Sequence, residues 1–163
     1  MSEPGVTSRR ASGRRFDSLE QEAYLSLWRT YDRLKMLEDE LFAAYDLTAQ
    51  QYNALRLLRA AREPLATLAL AERLISRAPD ITRMLDKLEQ RGLISRTRST
   101  TDRRTVRVSI TAAGRWLLDQ LAEPLRRCHQ QQLGHLSSKQ LQQLIALLRL
   151  VRQPHEPPDS HWR

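Results

Sequence analysis

The 163-residue chain has one cysteine, five glycines and no long apolar run, and each shortage removes a class of protein. A lone thiol, Cys128, allows neither an intrachain disulfide nor a thiolate zinc cluster within one chain, and this fits a reducing compartment. Nowhere do about 18 uncharged apolar residues follow one another, so no membrane-spanning helix is predicted. The opening "MSEPGVTSRRASGRR" lacks the apolar core of a signal peptide, and a cytoplasmic location is expected. No phosphate-cradling glycine loop, nucleophile arrangement or acid/base pair stands out, so the chain is not expected to be an enzyme. His129 and His135 are not at ligand spacing, while His155 and His161 fall in the tail, so neither a metal nor a cofactor is expected.

Acidic residues are also in short supply. Nineteen aspartates and glutamates face 27 lysines and arginines, and the net charge of +8 favours a polyanionic partner. The length fits one domain, or a binding lobe plus an association surface, and is enough to bury a real core.

What is present is mostly helical pattern. Residues 1–17 are rich in Ser, Gly and Arg, cannot repay the entropy of ordering, and are expected to form a disordered basic arm. From Ser18, "SLEQ" has capping-box spacing, and Tyr24, Trp28, Tyr31, Leu34, Leu41 and Tyr45 recur at helical intervals, predicting a long amphipathic helix over 18–45. Thr48 with Gln51 starts a second helix, with Tyr52, Leu55 and Leu58 on one face. Thr67 is expected to cap a third helix of about two turns. A fourth is expected to enter at Ser76 or Arg77, carry Pro79 in its first turn and stop at Gly92. Its Ile81, Met84, Leu85 and Leu88 share one face, which leaves Asp80, Thr82, Arg83 and Lys87 elsewhere.

"LISRTRS" and "TVRVSI" alternate around the polar tip "TTDRR", the pattern of an antiparallel hairpin that puts Leu93, Val106, Val108 and Ile110 against the core. Thr111 caps a helix to about Leu133 that Pro124 is expected to kink or interrupt. Ser137 with Gln140 opens a last helix striped by Leu141, Leu144, Ile145, Leu148 and Val151, and a loose tail, 153–163, is predicted after it.

The fold class expected is mainly α with a small β-wing: a winged helix-turn-helix lobe over about 48–111, flanked by helices over about 18–45 and 112–152. "PLATLALAERL", "APDITRMLDKLEQRGLISR" and "DRRTVRVSITAAG" resemble, in order, successive blocks of the MarR family of bacterial transcription regulators. The resemblance extends over about Ser18 to Val151 and implies a ligand-responsive DNA-binding homodimer, most simply a repressor. The alternative class is a winged-helix protein–protein interaction module whose fourth helix binds a partner.

Physics and resemblance converge on the same residues. A helix fits the roughly 12 Å wide major groove of B-DNA, with residues near its N-terminus closest to the bases. Ser76, Pro79, Asp80, Thr82, Arg83 and Lys87 are therefore the candidate DNA-facing residues of the fourth helix. Arg83 can donate bidentately to guanine or pair with Asp80 or Asp86 at i,i+3; Asp80 can accept from cytosine or serve as a helix N-terminal charge. An aspartate with an arginine two residues on marks the wing tip in the family, and Asp102 and Arg104 match it. Arg104 is expected in the minor groove, Asp102 braces the tip, and Arg103, Arg96 and Arg98 reach phosphates. Arg107 joins them or belongs to an ordinary polar hairpin face.

Family resemblance also implies dimerisation through the first and last helices. An effector is often an aromatic anion held near them, and Trp28, Tyr31, Tyr45, Tyr52 and Trp116 are candidates to line its pocket, or are plain core aromatics. Cys128, on the face of Leu121 and Leu125, is an oxidant sensor or a small buried hydrophobe.

Overall fold

A computed structural model describes residues 16–76, 80–98, 105–158 and 160. Its elements run α1 Leu19–Ala43, α2 Ala49–Ala60, β1 Leu65–Ala66, α3 Thr67–Arg73, α4 Ile81–Gln90, β2 Ile94–Arg98, β3 Val106–Ile110, α5 Ala112–Leu133 and α6 Ser138–Arg152, followed by a 3-10 turn Gln153–His155. The fold is mainly α with a small antiparallel sheet. Two compact units, Met1–Lys35 and Met36–Arg163, divide the chain, and α1 supplies residues to both.

In the first unit, Ser18 Oγ accepts the Gln21 amide at 3.1 Å, but the Gln21 side chain returns to the amide of Asp17, not of Ser18, at 2.7 Å. The predicted box is thus shifted by one residue on one side. Tyr24 and Trp28, one turn apart, place their rings 6.3 Å from each other and are both exposed.

The second unit holds the core. Thr48 and Gln51 form a full capping box at the start of α2, as do Ser137 and Gln140 at the start of α6. Thr111 Oγ1 caps α5 by accepting the Gly114 amide at 3.1 Å. Leu55, Leu70, Leu85, Leu88, Val108 and Leu121 are fully buried together with Phe42, whose ring stacks on Tyr52 at 4.8 Å. Phe42 is the core residue that the α1 reading leaves out, although it falls about five helical turns from Tyr24 on the same stripe.

The sheet order is β1-β3-β2. Strands β2 and β3 form the predicted hairpin, in register from Ile94↔Ile110 to Arg98↔Val106. Ile94, rather than Leu93, is its first paired residue. Leu93 is buried just before the strand, whereas Val106 is only half-buried. The third strand, β1, pairs Leu65 with Val108 and Ala66 with Arg107; two residues are too few for a periodicity to show.

Three local expectations are corrected. Thr67 is the first helical residue of α3, behind an Ala66 cap with no side-chain bond, and its hydroxyl turns to the Val106 carbonyl instead. Helix α4 begins at Ile81 with Asp80 as N-cap, not at Ser76 or Arg77. Helix α5 continues through Pro124, so of the two expected outcomes, a kink or an interruption, the interruption does not occur. A proline forfeits one i→i−4 bond, and Gln120, whose carbonyl would have accepted it, is exposed to water. Beyond α6, where a loose tail is predicted, the 3-10 turn is followed by Glu156, paired with Arg152 at 3.4 Å. Helix α6 itself buries no residue, and Ile145, Leu147, Leu150 and Val151 are all exposed.

Gly114 gives a test in which propensity and packing have opposite signs. A Cβ there would overlap the Leu93 carbonyl oxygen and lie 2.7 Å from Ile110 Cγ1. Helix propensity alone favours Gly114→Ala by about 1 kcal/mol. Overpacking against backbone is expected to prevail, with a net loss of about 1–3 kcal/mol in urea denaturation.

Candidate nucleic-acid interface

Helix α4 is held by its buried side and presents the other. Met84, Leu85 and Leu88 are buried, while Thr82, Arg83, Lys87 and Gln90 are exposed. Asp80 Oδ1 accepts the Arg83 amide at 2.9 Å, so this carboxylate satisfies one of the helix's orphan donors, as the N-terminal charge reading expects. Gly92 closes the other end with φ +67°, a left-handed conformation in which glycine has no Cβ penalty. Its amide bonds to the Glu89 carbonyl at 2.8 Å and the Leu93 amide to the Leu88 carbonyl at 3.0 Å, a Schellman arrangement.

Two arginines then fix α4 to its surroundings. Arg96 of β2 donates through Nη2 to Asp86 at 2.5 Å and to Glu89 at 2.6 Å, and through Nε to Glu89 at 2.9 Å. Its amide also donates to Glu89 Oε1, at 3.2 Å. At the end of α4, Arg91 donates to the carbonyls of Tyr45 and Asp46 in the α1–α2 turn, where Asp46 is left-handed with φ 54°.

In place of the phosphate contact expected of it, Arg96 shows a guanidinium bonded to two carboxylates of α4. Asp86 and Glu89 escape sequence reading as binding partners, since their counterpart lies beyond a helix end and a turn. Asp86 pairs with Arg96, and neither Arg83 nor Lys87 has a carboxylate partner among the described residues. Arg98, at the last register pair of the hairpin, is exposed. Arg107 donates to the Pro64 carbonyl at 3.2 Å. Ser76 is exposed and its hydroxyl accepts from Gln50 at 3.4 Å. Pro79, Asp102, Arg103 and Arg104 lie outside the described residues.

The candidate effector aromatics have separate settings. Trp28 and Tyr31 are exposed on α1, and Trp116 is exposed on α5. Tyr45 and Tyr52 pack against the core, where burial raises the Tyr52 phenol above its ordinary value. A 520 Å³ groove between the end of α1 and α5 is lined by Leu37, Leu41, Pro124, Arg127 and Cys128, and by none of those five. The Cys128 thiol is buried, and burial first, then Glu38, pushes its pKa up. A thiol held protonated in this way is a poor oxidant sensor and a good small hydrophobe. Among the described residues no cluster of His, Cys, Asp and Glu could hold a metal ion, and no helix is long and apolar enough to cross a membrane.

A short helix, a second helix with a free polar face, and an adjoining hairpin clamped to it define a winged helix-turn-helix protein. Comparison with known proteins makes this specific. The MarR family model matches residues 47–106. A MarR transcription factor from Planctomyces limnophilus is 57% identical, over 83% of this chain and 99% of its own, with a TM-score of 0.66. A mutant MarR from E. coli, crystallised with operator DNA, is 25% identical over 82% of this chain and 98% of its own, with a TM-score of 0.72. A MarR family regulator from Streptomyces coelicolor in complex with DNA shares the fold at a TM-score of 0.79, with 19% identity over 91% of this chain and 96% of its own. The chain belongs to the MarR family of transcription regulators, which are not enzymes.

The clamp is open to a pH test. Hydrogen bonding from Arg96 holds the Glu89 carboxyl below its ordinary value of 4.5. A carboxylate depressed in the folded state stabilises it above the unfolded pKa, and that contribution fades as pH falls through the folded value. Glu89→Gln is therefore expected to lower the thermal midpoint at pH 7, with the gap from wild type closing at strongly acidic pH. A gap that persists unchanged in acid would remove the ionised clamp from the account.

Proposed function

We propose that the protein is a homodimeric, sequence-specific regulator that binds double-stranded DNA, represses from a pseudo-palindromic operator, and is released by a small aromatic or phenolic ligand. The observation that carries this reading is the pair of cations, Arg83 and Lys87, that have no carboxylate partner among the described residues and stand on the exposed face of a helix whose other face is core. The operator DNA bound by the E. coli relative supports it.

In this reading α4 enters the major groove. Arg83 donates to a guanine edge, Thr82 meets a thymine methyl or a phosphate, and Lys87 neutralises a phosphate. Asp80 acts as the cap that aims the first turn, and Ser76 and Pro79 belong to the approach to the helix. At the wing, Arg104 enters the minor groove with Asp102 bracing it, while Arg103 and Arg98 reach the backbone. Arg96 is a positioning residue: it holds β2, and with it the root of the wing, to the helix that reads the bases.

One lobe reads too few base pairs for a regulator. Two copies related by a two-fold axis would span half-sites about 34–36 Å apart, and the exposed apolar rows of α1 and α6 are the surfaces a second copy would cover. A ligand then acts only by preferring a lobe spacing that misfits the operator.

Operator affinity is expected to fall steeply with salt, as neutralised phosphates release counterions. Arg83→Ala should cost about 1–3 kcal/mol and relax preference at one base position, whereas Arg104→Ala should weaken binding with little change in the major-groove motif. Salt-insensitive binding, or full affinity in both variants, would overturn the assignment.

A further inference from the structure

A second group of arginines stands apart from α4. The 510 Å³ groove beside β1 is floored by Ala61, Pro64, Leu65, Ala66 and Ala69 and rimmed by Arg62, Arg73 and Arg107, with Glu63 as its one acid. Arg62 is exposed, and Arg73 and Arg107 are half-buried. Arg62 and Arg73 have no carboxylate partner among the described residues, and Arg107 spends one donor on the Pro64 carbonyl and keeps its charge. The basic rim continues past this groove, because Arg62 also lines the neighbouring 210 Å³ cavity, where Arg115 stands.

Position indicates what this charge is for. Arg107 pairs with Ala66 of β1 and Thr97 of β2, and its neighbour Val106 is the last paired residue before the hairpin tip. The groove therefore opens at the root of the wing, along the outer edge of the sheet and not on the α4 surface. An apolar floor gives no hydrogen bonds to base edges, while three guanidiniums around it match the non-bridging oxygens of phosphates. We infer that this groove is a second phosphate-binding surface, which Arg62, Arg73 and Arg107 use to hold the DNA backbone bordering the minor groove that the wing enters. The inference rests on the DNA-binding reading above and adds to it a contact that carries no sequence information.

The structure gives the contact a sign in both directions. Removing Arg62 and Arg73 takes away attraction, and removing Glu63 takes away the repulsion that faces the same phosphates. Arg107 is left in place because its bond to Pro64 also secures the sheet edge.

The experiment compares wild type, an Arg62→Gln/Arg73→Gln variant and Glu63→Gln on two duplexes. One carries the bound site with its flanks; the other is trimmed at the outer edge of each half-site. Wild type should lose affinity on trimming, and the double variant should lose little. On the long duplex its log–log salt slope should be shallower by about two to four, counting one to two lost phosphate contacts in each of two subunits. Between 200 and 50 mM salt, that widens its deficit against wild type by roughly tenfold or more. Glu63→Gln should bind the long duplex more tightly than wild type. Unfolding midpoints of both variants check that the fold is kept. Wild-type affinity and salt slope in the double variant would overturn the groove while leaving the α4 assignment standing; a wild type that binds neither duplex would overturn both.

Discussion

Arg96 donates to Asp86 and Glu89 at once, and through that one guanidinium the hairpin is tied to α4. Loss of the arginine would leave two carboxylates facing each other on α4 and would free β2 to move against it. The same bonds use up the two acids that would otherwise neutralise or repel on the helix surface. Beside these paired, partly exposed acids, α4 exposes Thr82, Arg83, Lys87 and Gln90, in a register set by the Asp80 cap at one end and Gly92 at the other.

Arg91 repeats the device at the far end. By donating to the Tyr45 and Asp46 carbonyls it ties α4 to the turn from which α2 departs. Ion pairs on a surface contribute only modestly to stability, but here two arginines with several directed bonds also fix orientation. Orientation is what a reading helix needs, since a base-edge contact tolerates little error in angle or reach.

Local signals were legible and non-local ones were not. Thr48 with Gln51, Ser137 with Gln140, Thr111 and Gly92 announce helix ends because cap and partner are within five residues. The free face of α4 follows from spacing alone. By contrast, β1 is two residues long, Phe42 is buried by a helix packing against it from elsewhere in the chain, and Thr67 turned from a cap into a bond with a strand 39 residues away. Arg96 looks like any basic residue of a polar strand until the fold brings Asp86 and Glu89 to it. The start of α4 is hard to place for a related reason: Ser76 and Pro79 satisfy start rules as Asp80 does, and the backbone selects Asp80 as the cap.

In the proposed function this clamped helix reads DNA as one of a symmetric pair. Selecting bound duplexes from a random pool with the full-length protein tests it most directly. The account predicts enrichment of one two-fold symmetric motif with half-sites a helical turn apart. Failure to enrich any motif, or enrichment of a single unpaired half-site, would contradict it.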